Sequence, residues 1–175
     1  MIMKKLTVLL ACFMLFALFP ARAERPPDDA RSLVLDAMEV YSWFVMNPLD
    51  VNAEAPALDG ALYPVFDDVL ARVDVMQALL ERCFSADIVQ SLWDWGAYTA
   101  VNGWLYGYPP DESPLARPVD PDIADARFAL TEETDSRRVI IATVYYLYAD
   151  APETLEFVSE CVDGRWIFTE FPFFW

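Results

Sequence analysis

Residues 154–173 read TLEFVSECVDGRWIFTEFPF, and the middle of this stretch decides how the C-terminal half folds. Asp163-Gly164 suits a two-residue hairpin turn, whose central positions need positive φ. With that turn in place Cys161 lies opposite Trp166, Ser159 opposite Phe168 and Phe157 opposite Glu170, and paired residues share a face. Leu155, Phe157, Cys161, Trp166 and Phe168 then fall on one side. Glu156, Glu160, Arg165 and Thr169 share the other with Val158, Ile167 and Phe171. One face is apolar and the other mixed, so the rings, each able to bury about 150–250 Å², are read as core. Phe173, Phe174 and Trp175 follow Pro172 and are placed to close over the first helix.

Working outward, Ile123–Glu132, Arg137–Ala149, Thr154–Val162 and Arg165–Phe173 read as four strands joined by short turns, which makes an antiparallel meander. Upstream, Tyr98–Tyr108 carries Asn102-Gly103, a strong hairpin signal that pairs YTAV with WLYG. A short strand is expected around Ala61–Phe66.

Before residue 96 the apolar period is helical. Asp28 or Asp29 can cap a helix whose Leu33, Ala37, Val40, Tyr41 and Phe44 form one stripe, ending before Pro48. Asp74, with Gln77 in the capping-box position, opens a second helix that turns Val75, Met76, Leu79, Leu80 and Cys83 inward. Ser85 caps a third that ends at Gly96. Helices first and sheet afterwards predicts an α+β fold, with N-terminal helices packed on a curved antiparallel sheet. Nuclear-transport-factor-2-like and cystatin-like folds share that description and are the alternative.

The N-terminus has the layout of a secretory signal peptide: MIMKK, an uncharged apolar run from Leu6 to Phe19, then Ala21-Arg22-Ala23. That run is shorter than the roughly 20 residues of a membrane span. The lipoprotein-like Leu9-Leu10-Ala11-Cys12 is less suitable, because the apolar run continues past Cys12. Residues 1–23 are therefore expected to be removed, leaving residues 24–175 as one domain, secreted to the extracellular space or cell wall. That portion has nine arginines, no lysine and 28 acids, a formal net charge of −19. Such a field repels nucleic acid and anionic membrane surfaces and draws basic partners.

The absence of histidine excludes Ser-His-Asp and Cys-His nucleophile systems and histidine-containing metal sites. The absence of lysine after cleavage excludes Schiff-base chemistry. Two cysteines cannot make a four-cysteine zinc site. Asp50-Val51-Asn52-Ala53-Glu54 spaces its oxygens as a calcium loop does. Yet Ala55 and Ala61 stand where an EF-hand needs Gly and Glu, so it is read as a polar loop. A carboxylate pair for glycoside hydrolysis cannot be selected among so many acids. No catalytic residue, metal or cofactor is assigned, and the expectation is a non-enzymatic monomer. Cys83 and Cys161 fall on facing surfaces; they are either a disulfide, contributing about 4 kcal/mol in the chain-entropy account, or two buried thiols.

Four stretches carry a resemblance: VYSWFVMNPLDV (40–51), CFSADIVQSL (83–92), NGWLYGY (102–108) and DGRWIFTEFPFFW (163–175). Together they resemble the exported IseA family, inhibitors of the cell-wall DL-endopeptidases, cysteine hydrolases that cut peptidoglycan peptides. The resemblance implies a non-enzymatic protein with a helical lobe and a β lobe, docking on the hydrolase through an acidic surface. The stiff, proline-rich segment 108–122 supplies the candidate contacts: Asp111, Glu112, Asp120 and Asp122 as charges, with Tyr106 and Tyr108 as aromatic anchors. The alternative is a small-ligand or glycan-binding domain in which Trp93, Trp95, Tyr98 and Trp104 line a pocket.

Overall fold

The computed structural model describes residues 28–109, 112–115, 123, 125–146 and 151–172. The expected signal peptide, Asp111, Asp120, Asp122 and the terminal Phe173–Trp175 lie outside the described residues. The elements are α1 (Asp28–Val45), β1 (Tyr63–Pro64), α2 (Val73–Cys83), α3 (Ala86–Trp95), β2 (Tyr98–Val101), β3 (Trp104–Gly107), β4 (Arg127–Glu133), β5 (Arg137–Val144), β6 (Glu153–Val162) and β7 (Arg165–Glu170). The fold is α+β, and its strands form two antiparallel sheets, a three-stranded one in the order β1-β3-β2 and the meander β4-β5-β6-β7. The hairpin does not join the meander. Its partner is β1, which pairs Tyr63 with Gly107 and Pro64 with Tyr106.

The β6–β7 turn forms as expected, with Asp163 and Gly164 both at positive φ and Cys161 opposite Trp166. The expected Phe157–Glu170 pair does not form. A bulge leaves Thr169 as an extra residue on β7, so that Val158 faces Glu170 while Ser159 still faces Phe168. One extra residue flips everything after it to the other face. Phe171, expected on the mixed side, therefore joins Phe168 in the core, where it is 6% exposed. Its ring centroid lies 5.0 Å from Phe157, 5.1 Å from Phe84, and 5.2 Å from both Tyr41 and Phe168. The bulge thus makes one ring the meeting point of α1, the α2–α3 junction and the meander.

Helix α1 buries Val34, Ala37, Val40, Tyr41 and Phe44, with Leu33 half-buried at the edge. Phe44 packs edge-on against Trp93 and Tyr98, at 5.1 and 5.2 Å. Helix α2 starts a residue earlier than Asp74 and lacks a capping box. Arg72 holds the N-cap position in extended conformation, paired as a bridge with Trp104, and the Val73 N–H donates to the Gly103 carbonyl at 3.0 Å. A backbone carbonyl of the hairpin turn thus does the work expected of a carboxylate. Asp74 instead turns back to Arg72. Helix α3 follows Ser85 and ends at Gly96, left-handed at φ 81°.

Cys83 and Cys161 are free thiols, so the disulfide considered from sequence is not made. The α2–α3 junction docks on β7 through the Phe84–Phe168 bridge and a 2.8 Å hydrogen bond from the Ser85 N–H to the Phe168 carbonyl. Cys161, opposite Trp166, lies two residues further along the strands from this contact. Burial raises the pKa of the Cys83 thiol, with the Arg82 charge pulling the other way.

Candidate binding surface

Side chains alternate along β3. Leu105 and Gly107 face the core, and Trp104 and Tyr106 face outward. On the inner side Gly107 lets the Tyr98 ring lie against the backbone. A Cβ there would meet Tyr98 Cδ1 at 3.3 Å and Cε1 at 3.4 Å. The buried Tyr98 hydroxyl accepts a hydrogen bond from the Leu49 N–H at 2.7 Å and donates to the Trp43 carbonyl at 2.8 Å. Burial pushes this phenol's pKa well above its ordinary value, opposed in part by the Leu49 hydrogen bond. One side chain thereby ties the small sheet to the end of α1.

Between β1 and α2 the chain leaves the sheet and returns to the same place. The Val65 N–H donates to the Leu105 carbonyl at 3.0 Å, and the Leu105 N–H donates to the Ala71 carbonyl at 2.7 Å. Both feet of the intervening loop therefore stand on one fully buried residue. Within the loop, Asp67 Oδ1 accepts from the N–H groups of Val69 and Leu70 at 2.8 and 2.9 Å, and its carbonyl accepts from Ala71 at 2.8 Å. This Asx turn consumes the polar groups internally and pushes two apolar side chains out. Phe66 is 69% exposed and Val69 62%. With Asp67 and Asp68 between them, they form two apolar knobs in an acidic setting on a stiff base.

Beside this loop, the first turn of α2 and the β2–β3 turn enclose an open groove of about 560 Å³, lined by Arg72, Asp74, Gln77, Asn102, Gly103 and Trp104 among others. Arg72 grips Asp74 bidentately, Nε to Oδ1 at 3.0 Å and Nη2 to Oδ2 at 2.6 Å, which holds the carboxyl below its usual pKa. Gln77 is used at both ends, accepting from Trp93 Nε1 and donating to Glu81, each at 2.7 Å.

Among the residues singled out from sequence, Tyr106 lies on the outer face of β3, half-buried. Tyr108 is half-buried just past the strand, and Glu112 is exposed. Of the aromatics proposed for a ligand pocket, Tyr98 is core, and Trp93 and Trp95 pack against it, whereas Trp104 lines the groove. Phe66 and Val69 escaped sequence reasoning, which ended a strand at Phe66. The signal was present in Asp67-Asp68, two acids interrupting the apolar run VFDDVL.

Among the described residues no group of three or more His, Cys, Asp or Glu side chains is arranged to hold a metal ion, and no helix is long and apolar enough to cross a membrane. No family model matches the chain, and no curated protein sequence matches it significantly.

Proposed function

We propose that this is an exported, non-enzymatic, monomeric binding protein that inhibits a cell-wall cysteine peptidase of the DL-endopeptidase class by occupying its substrate groove. The observation that carries this reading is the Phe66–Leu70 loop. Two large apolar side chains are exposed on a turn whose backbone is already ordered, so binding costs little loop entropy and releases the water over both knobs. The formal charge of −16 over the whole chain adds long-range attraction toward a basic groove. Asp111, Glu112, Asp120 and Asp122 are proposed as further charged contacts, with Tyr106 and Tyr108 as aromatic anchors. The resemblance of the four aromatic-rich stretches to the IseA family supports the same partner.

Binding kinetics against a purified wall DL-endopeptidase test the proposal. Full burial of a Phe contributes about 1.5–3 kcal/mol, so Phe66→Ala should weaken binding about 10- to 100-fold, mainly by faster dissociation. Neutralising these four acids should slow association and flatten its salt dependence. Unchanged dissociation of the Phe66→Ala,Val69→Ala variant would remove the loop from the interface.

A further inference from the structure

We infer that the groove between the first turn of α2 and the β2–β3 turn is a binding site for neutral pyranose saccharides, with Trp104 as its stacking platform. Among the described tryptophans Trp43, Trp93 and Trp95 pack against the core, and Trp166 lies under the Arg138 guanidinium at 4.1 Å. Trp104 alone of these is 46% exposed. Its backbone is fixed on both sides, by pairing with Val101 across the hairpin and by the bridge to Arg72. The ring is therefore presented from a rigid base rather than left on a loose loop.

The chemistry around the ring selects the ligand. Arg72 and Asp74 neutralise one another through their bidentate contact, so the groove offers no net charge to an ionic ligand. The same pair leaves further guanidinium N–H groups and carboxylate lone pairs for donors and acceptors of a guest. Asn102 adds an amide at the turn, where its φ of 52° is held by the hairpin. A flat apolar surface beside fixed, mutually neutral donors and acceptors suits a ring with an apolar C–H face and a rim of hydroxyls. The volume of about 560 Å³ falls within the roughly 300–1,000 Å³ of small-ligand clefts. An anionic sugar is disfavoured by the surrounding field of the acidic chain.

This site goes beyond the inhibitor reading and is tested without any hydrolase. The mature protein, labelled with ¹⁵N, is titrated with N-acetylglucosamine tetramer and with cellotetraose while the tryptophan indole N–H signals are followed. At least one saccharide should shift the Trp104 indole saturably and leave the other indoles nearly still. Trp104→Ala should weaken that binding tenfold or more. Asn102→Gly, which keeps the positive-φ turn and deletes the amide, should weaken it severalfold, with both variants melting close to the parent. Phe66→Ala should bind sugar as the parent does. A Trp104 indole indifferent to both oligomers, or a Trp104→Ala variant that binds as tightly as the parent, would overturn the site.

Discussion

Replacing Tyr98 by Phe removes one oxygen and leaves the ring. The hydroxyl is the partner of the Leu49 N–H and the Trp43 carbonyl, both part-buried, at 2.7 and 2.8 Å. Losing a partner for groups already withdrawn from water costs about 1–3 kcal/mol. For a chain of this size each kcal/mol lowers the melting temperature by about 2–4 °C, so a fall of roughly 4–8 °C is expected for a mid-range loss. The substitution also carries a pH signature. In the unfolded chain the phenol ionises near its ordinary value, about 10. In the folded chain burial makes it keep its proton to higher pH. Above pH 10 the unfolded state has therefore released a proton that the native state retains, and stability falls as pH rises, by up to about 1.4 kcal/mol per pH unit from this group. Urea unfolding of parent and Tyr98→Phe at pH 8 and at about pH 11 measures both effects, and the gap between the two proteins should narrow at the higher pH. A variant within about 0.5 kcal/mol of the parent at pH 8, or a gap that does not change with pH, would refute the tie made by the Tyr98 hydroxyl.

Phe171→Ala should be among the most damaging substitutions, because four rings lose their common neighbour; a loss of about 3–5 kcal/mol is expected, or about 6–20 °C in a thermal melt. Gly107→Ala should cost about 1–3 kcal/mol, since the new methyl meets a Tyr98 ring that its two hydrogen bonds prevent from yielding. That cost should shrink in the Tyr98→Phe background, which a double-mutant cycle reads directly. In thiol labelling of the native protein Cys161, half-exposed, should react well before Cys83, which is buried with a raised pKa. Equal rates would contradict the packing of the α2–α3 junction.

Much of the architecture was legible because local rules and tertiary packing agree. Asn102-Gly103 and Asp163-Gly164 each demand a two-residue turn, and both occur with the expected neighbours. The α1 stripe is helical by period and is buried as that period requires. Where sequence reasoning failed, a long-range contact had replaced a local one. Asp74 resembles a helix cap by position, but the Gly103 carbonyl, thirty residues away in the chain, already receives the first N–H. The bulge at Thr169 is invisible to alternation counting, and its effect is to turn Phe171 toward Tyr41 and Phe84. The Phe66–Leu70 loop was missed for a similar reason. Its residues look like a strand and its ends, and the long-range hydrogen bonds to Leu105, which hold both ends of the loop, are not written in the local sequence. Trp104 stood out as an aromatic, yet its facing away from Tyr98 follows from alternation along β3 and β2 in the observed register.

The proposed function requires that a rigid, anionic surface stop a wall peptidase without catalysis. Progress curves of a purified DL-endopeptidase on a soluble, glycan-free wall peptide, recorded with increasing amounts of residues 24–175, test this most directly. Cleavage should fall toward zero near one equivalent, and the Phe66→Ala,Val69→Ala variant should require a large excess. An unaltered rate at excess protein, or cleavage of the peptide by the protein alone, would contradict it.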